Sequence, residues 1–347
     1  MRPDTILFLA DASPQIGSGH VVRSLTIAKE LYKLGYRIVF FGIPNTEEII
    51  ARFADFPIVF QTSDDQSAEQ AVSVFKPKYA VWDSYAVKEE RLSALNRIVP
   101  VLLIDDNYGL QFFDCNAVLN HNIYADPLRY RVNRRKTTIM AGAEYTLIRD
   151  QFRKFSSLKE ENAREVRSLL ITFGGADFEN NTMSVLQWLK LVQDPKLELG
   201  VVAGAHYPYI PQLQEYVRFN RDRQKISLYK AVSNMAEIMI RYDAAITAAG
   251  STLYELACLG IPNCSVIVAD NQVNLARAFS ERNMTFLIGE AESMDEKSFL
   301  GAFQQFFEAD GIRSVQSKAG RLTVDGYGAV RVAEYIHRTI EGCGRNR

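Results

Sequence analysis

Short apolar runs alternate with amphipathic stretches along most of this chain. Ile6 to Ala10, Ile58 to Phe60, Tyr79 to Trp82 and Val101 to Ile104 are of strand length, as is the mostly apolar stretch from Arg37 to Phe41. Such runs, apolar at successive rather than alternate positions, mark strands buried on both faces. From Val21 to Leu34 the apolar residues instead recur at helical spacing. This alternation predicts a parallel sheet covered by helices, in which ligands collect at the carboxyl ends of the strands.

The pattern breaks after Phe152. Arg153 to Arg167 is charged and poor in large apolar residues, and then a second series begins. Its strands are expected at Ser168 to Phe173, Leu199 to Ala203, Ala244 to Thr247 and Ser265 to Val268, with a helix from Val273 to Phe279. Asp325 to Thr339 is amphipathic at helical spacing, with Val330, Val332, Ala333 and Ile336 among its apolar positions. A chain of 347 residues with 47% hydrophobic content can bury two cores. The expected domains are therefore 1–152 and 166–324, with a C-terminal helix and tail over 325–347 that can cross back to the first.

The most informative chemistry lies between the first strand and the first helix, in Asp11 to Arg23, DASPQIGSGHVVR. Gly17 and Gly19 allow a tight turn, and the helix that follows offers unpaired N–H groups and a positive dipole end, a mouth suited to an anion. His20 falls at this junction, where its ordinary titration range suits it to take a proton from water. Arg23 lies one helical turn later and carries a fixed positive charge, and with Gly17 and Gly19 it is expected to bind substrate. Asp11 either orients His20, binds a substrate hydroxyl or caps the loop. Only two glycines of the dinucleotide pattern G-x-G-x-x-G are present, Val22 stands in place of the third, and no lysine follows at P-loop spacing.

Asp83-Ser84-Tyr85, Asp105-Asp106 and Asn120-His121-Asn122 follow strand-like runs of the same half and belong on the same sheet edge as His20. Each has a plainer alternative. Asp83 can cap a helix beginning near Val87, and Asp105-Asp106 can form an Asx turn before Gly109. No third hard ligand accompanies the aspartate pair at a metal-binding spacing.

The second half repeats the device. Gly174-Gly175 follows a strand, with Asp177 or Asn181 placed to cap the next helix, and Gly250-Ser251-Thr252 opens another. Glu255, four residues after Ser251, lies on the same helix face, where a carboxylate can accept two ribose hydroxyls. Asn271 and Gln272 carry donor and acceptor atoms that suit sugar hydroxyls or amides, or they cap the next helix.

Charge narrows the partners. Forty Lys and Arg against 41 Asp and Glu leave a net charge of −1, so no basic field for nucleic acid or a membrane surface exists. Cys115, Cys258, Cys264 and Cys343 are scattered without metal spacing and read as reduced thiols. No secretory leader or membrane-length apolar run is present, and a cytoplasmic protein is expected.

The blocks DASPQIGSGHVVR, LIDDN, CNAVLNHN, LIRDQF, GGADFENNT, AGSTLYELACLGIP and ADNQVNLA occur here in that order, from about Ile6 to Ala276. In this the chain resembles the UDP-sugar hydrolases of pseudaminic acid biosynthesis and their spore-coat polysaccharide relatives. The AGST to ADNQ region alone is also similar to UDP-binding domains of glycosyltransferases. The resemblance implies an α/β fold of the GT-B type, two facing Rossmann-like domains with a cleft between them. It implies hydrolysis of a UDP-linked diacetamido-trideoxyhexose with inversion, without metal or cofactor. Transfer of the sugar to an acceptor hydroxyl and nucleotide-sugar binding without turnover are the alternatives.

By the same resemblance, His20 is the base that activates water, Arg149 is a cleft arginine and Glu255 holds the ribose. Gly250, Ser251 and Thr252 form the diphosphate loop, Asn271 and Gln272 face the sugar, and Asp11 and Tyr85 are further substrate contacts. The chain departs from the family at Ser84 and His121, where many relatives carry His and Gln, a difference that bears on which sugar is bound.

Overall fold

The computed structural model describes residues 3–12, 18–63, 68–158, 165–192, 194, 196–230 and 232–345, with side chains described as far as 342. Gly17 of the opening loop and the side chain of Cys343 lie outside these. The chain divides into two compact units, residues 1–149 with 326–347, and residues 150–325.

Unit 1 runs β1 (Thr5–Ala10), α1 (Gly19–Lys33), β2 (Arg37–Gly42), α2 (Asn45–Phe53), β3 (Val59–Thr62), α3 (Ala68–Phe75), β4 (Tyr79–Asp83), α4 (Glu89–Ile98), β5 (Val101–Ile104), β6 (Ala117–Asn120) and β7 (Thr138–Ala141). The seven strands form a parallel sheet in the order β3-β2-β1-β4-β5-β6-β7. Alternate residues of β1 feed two cores: Ile6, Phe8 and Ala10 pack with Val21, Leu25 and Leu31 of α1, and Leu7 and Leu9 pack with Ala71, Val72, Leu92 and Leu95 on the other face. Double-sided burial is why β1 is apolar from Ile6 to Ala10.

Unit 2 runs α5 (Asp150–Ser156), β8 (Ser168–Thr172), α6 (Asn181–Leu189), β9 (Glu198–Ala203), α7 (Ile210–Asn220), β10 (Ile226–Lys230), α8 (Met235–Met239), β11 (Ala244–Ala248), α9 (Thr252–Leu259), β12 (Asn263–Ile267), α10 (Val273–Glu281), β13 (Phe286–Glu290), α11 (Glu296–Glu308) and α12 (Asp310–Thr323). Its six strands form a second parallel sheet, β10-β9-β8-β11-β12-β13. Leu169 and Ile171 of β8 pack against Val185, Leu186 and Leu189 of α6 and Phe299, Phe303 and Phe306 of α11.

The last helix, α13 (Gly328–Arg345), returns to unit 1. Ala329, Val332, Ala333 and Ile336 join the core beside α1, and Tyr36 and His337 Nδ1 are hydrogen-bonded at 2.8 Å. Among the described residues no helix is long and apolar enough to cross a membrane.

Strand order reverses once in each sheet, at β1/β4 and at β8/β11. A crevice opens at such a reversal because the flanking connections leave in opposite directions. The ends of β1 and β4 are neighbours at the first, and the ends of β8 and β11 at the second.

At the second reversal the turns are packed tightly. Gly174 has φ of +82°, which favours glycine, and the carbonyls of Gly174 and Gly175 lie against Gly204 at the end of β9, where a Cβ would strike both. Gly175 O also accepts the His206 amide at 2.9 Å. Gly204→Ala is expected to displace this turn and cost about 1–3 kcal/mol of stability, read as a lowered urea midpoint.

Candidate active site

β1 ends at Ala10 in register with Asp83, the last residue of β4, so the start of α1 faces the end of β4. His20 in the first turn of α1 is 6% exposed and places Nδ1 2.5 Å from Asp83 Oδ1. Arg23, one turn along, holds the same carboxylate with both arms of its fork, Nε to Oδ2 and Nη2 to Oδ1, each at 2.6 Å. The Ser24 hydroxyl lies 3.4 Å from Oδ2. Three side chains thus bring four polar atoms to a carboxylate with no exposure to solvent.

Arg23 also reaches the neighbouring strands. Its Nη1 donates to Asp106 Oδ2 at 2.7 Å, just beyond β5, and to His121 Nε2 at 3.4 Å, just beyond β6. The Tyr85 hydroxyl donates to the same Asp106 oxygen at 3.2 Å, and its ring stands edge-on to the His20 imidazole with centroids 4.6 Å apart. Tyr85 is 61% exposed and covers the imidazole on the solvent side.

The partners fix the protonation pattern. Burial alone would push the Asp83 carboxyl up, but Arg23 and His20 outweigh it and hold it below the usual carboxylate range. Asp106 is lowered in the same way, burial being outweighed by Arg23 and Tyr85. Asp83 is therefore an acceptor, and its 2.5 Å contact places a proton on His20 Nδ1; Arg23 Nη2, 3.1 Å from that nitrogen, donates to Asp83 Oδ1 and stands beside the ring as a charge, which leaves the lone pair on Nε2. Arg23 has only donors, so the His121 nitrogen facing it is the unprotonated one. Burial and the guanidinium lower His121 to about 4, which keeps that ring neutral near pH 7.

Several site residues read from the sequence have other partners. Asp11 does not orient His20: its Oδ1 accepts the Ile43 amide at 3.0 Å, while Thr46 Oγ1 accepts the Ala12 amide, so Asp11 ties the end of β1 to the β2–α2 turn. Asp83 takes the orienting role. It does not cap α4, which begins six residues later at Glu89. Arg23, expected to bind substrate, is spent on two internal carboxylates and only 12% exposed.

The aspartate pair splits. Asp105 forms the turn, accepting the amides of Tyr108 and Gly109, and Asp106 joins the cluster. The turn is pinned where Tyr130 OH donates to Asp105 O at 2.8 Å and accepts from Asn120 Nδ2 at 2.9 Å. Gly19 opens α1, and Arg149 stacks its guanidinium over Phe53, 5.9 Å from the ring centroid.

In unit 2, Asp177 caps α6, accepting the amides of Asn181 and Thr182 at 2.9 and 2.8 Å. Gly174 and Gly175 precede this cap. After β11, the exposed Ser251 precedes α9, which opens at Thr252 and carries Glu255 in its first turn. Gln272 turns inward, its Oε1 accepting the Val268 amide at 3.0 Å, and its Nε2 lies beside Gly250. Asn271 is exposed.

No protein-family model matches the chain. It is 28% identical over 263 residues to an uncharacterized protein of Methanocaldococcus jannaschii, covering 74% of this chain and 54% of that protein. The chain thus spans about half the length of that relative. It is 27% identical over 345 residues to the spore coat polysaccharide biosynthesis protein SpsG of Bacillus subtilis, covering 96% and 97% of the two. Identity is 26% over 277 residues with the UDP-2,4-diacetamido-2,4,6-trideoxy-beta-L-altropyranose hydrolase of Campylobacter jejuni, covering 78% and 94%.

Among solved structures, MurG of Acinetobacter baumannii superposes with a TM-score of 0.72 at 14% identity, covering 97% of this chain and all of that one. The spinosyn rhamnosyltransferase SpnG gives 0.65 at 14% identity, covering 97% and 100%. The fold is of the GT-B type, as the sequence resemblance implies, and the chain is a relative of SpsG and the Campylobacter hydrolase.

Proposed function

We propose that this chain hydrolyses a UDP-linked amino sugar of the diacetamido-trideoxyhexose type at its anomeric C–O bond, releasing UDP and the free sugar with inverted configuration. The product would serve pseudaminic acid or related surface and spore-coat polysaccharide synthesis, as the names of two relatives suggest. One observation carries the chemistry: His20 stands at the β1/β4 reversal with Nδ1 engaged by Asp83, so that Nε2 presents a lone pair.

In this scheme Nε2 takes a proton from water as its oxygen bonds to the anomeric carbon and the bond to the diphosphate oxygen breaks on the opposite face. Asp83 stabilises the imidazolium that forms, the arrangement that makes an Asp–His pair an effective base. The electron pair leaves with UDP. Its charge is met at the glycine turn after β8 and at the start of α9, where Gly174, Gly175, Gly250, Ser251 and Thr252 offer amides and hydroxyls, the helix end contributing about 0.3–2 kcal/mol. Glu255 accepts the ribose hydroxyls, Asn271, Tyr85 and Arg149 contact the sugar-phosphate, and Gln272 braces the loop that carries Asn271.

The fold is shared with glycosyltransferases, so transfer to an acceptor hydroxyl is the competing reaction. The two separate in water enriched in oxygen-18, with a UDP-linked diacetamido-trideoxyhexose and no acceptor. Hydrolysis releases unlabelled UDP and, at early times, sugar carrying label at the anomeric hydroxyl. Release that waits for an added acceptor supports transfer, and label in the UDP phosphate overturns attack at carbon.

A further inference from the structure

Fixed charges crowd the His20 imidazole from every element around it. α1 supplies Arg23, with Nη2 3.1 Å from Nδ1, and the Ser24 hydroxyl; the end of β4 supplies Asp83 and, beyond it, Tyr85. The end of β5 supplies Asp106 and the end of β6 supplies His121, both through Arg23. Asp105 and Asp11, the other acids at this edge, face backbone amides, Asp105 those of its own turn and Asp11 that of Ile43 in the β2–α2 turn.

With both rings neutral, the cluster holds two carboxylates against one guanidinium, a net charge of −1. Uptake of one proton by His20 brings it to zero. Without Arg23 the charges of the buried Asp83 and the partly buried Asp106 would have no cation between them, and both would favour a proton on the imidazole. An imidazole already protonated cannot act as a base.

We propose that Arg23 is a positioning residue that sets how readily His20 accepts a proton: clamped between Asp83 and Asp106 and set against the ring, it keeps the imidazole neutral in the resting protein while leaving one negative charge to favour the imidazolium formed in the reaction. This rests on the reading of His20 as the base. It also explains why an arginine one turn after the histidine faces inward, toward carboxylates, rather than toward an anionic substrate. The bidentate grip keeps the cation in one place, which a lysine would not do.

The test compares wild type with Arg23→Gln, Arg23→Lys and Asp106→Asn. Two quantities are read: the acid limb of the kcat/KM profile, and the midpoint of the His20 ring resonance in the substrate-free protein. With only four histidines in the chain, that resonance is readily assigned. Arg23→Gln is expected to move both upward by about 1 to 3 pH units. Asp106→Asn removes a negative charge from the same cluster and moves both downward. Arg23→Lys retains the charge, so both stay near their wild-type positions although kcat falls.

A merely structural role for Arg23 would lower activity without driving the two charge changes in opposite directions. A ring midpoint that stays put in Arg23→Gln and Asp106→Asn, or moves the same way in both, overturns the proposal. If Arg23→Gln does not fold, the direction of the Asp106→Asn shift decides. Failure of the underlying reading looks different: a His20→Gln protein that remains active with an unchanged acid limb removes His20 as the base, whatever the ring midpoints do in the other variants.

Discussion

His20→Asn is expected to lower turnover of the UDP-sugar by about 10²- to 10⁴-fold while UDP binds as it does to the wild type. The split follows from the division of labour proposed above. Unit 1 carries the imidazole, whereas the residues assigned to the diphosphate and ribose lie at strand ends of unit 2. Asparagine fits the space and can satisfy Asp83 through its amide, so the fold survives, but it offers no basic nitrogen toward water. Steady-state rates with and without an acceptor, set beside a calorimetric UDP titration, check it. Turnover within tenfold of wild type would remove His20 from the chemistry, and lost UDP affinity would show that the substitution disturbs more than the base.

Asp83→Asn is expected to lower kcat by a comparable factor, about 10²- to 10⁴-fold, for a different reason. The carboxylate is a pure acceptor and dictates that Nδ1 carries the proton; an amide can donate to Nδ1 and place the proton on Nε2, where it blocks the base. Asp83→Ala goes further, leaving the Arg23 guanidinium without its bidentate partner in a buried site, and is expected to cost about 3–5 kcal/mol of stability. The pH dependence has a definite sign. Because the folded-state carboxyl is held below its ordinary value, its stabilisation is present at neutral pH and is lost as the pH falls below about 4, through the folded-state value. Urea midpoints of wild type and Asp83→Ala should therefore differ most near pH 7 and converge in acid.

Central strands were legible in the sequence because they are buried on both faces. TILFLA of β1 and VLLI of β5 leave no other reading. Sheet margins were not. β3 (VFQT) starts one residue and ends two residues beyond the expected run, and β7 (TIMA), β10 (ISLYK) and β13 (FLIGE) carry no clear strand signal because each is an edge strand that mixes polar with half-buried positions.

The site divides along similar lines. His20 stood out because a glycine turn between strand and helix is a local signal. The gathering of Asp83, Asp106 and His121 followed from placing them at strand ends of one parallel sheet. What no local pattern encodes is which carboxylate serves which base: the His20–Asp83 pair spans 63 residues, and Asp11, far nearer in sequence, was the obvious candidate. Arg23 misled for the same reason, since an arginine near a helix start looks the same whether it awaits an anion or already holds two.

The return of α13 to unit 1 has a bearing on biosynthesis. Residues 150–325 are contiguous and can close their core as soon as they emerge from the ribosome, but the core built on Ile6, Phe8 and Val21 lacks Val332, Ala333 and Ile336 until α13 has followed them. The half that carries His20 is thus begun before residues 150–325 and completed after them, and in the interval the nascent chain holds a hydrophobic surface open that α13 seals.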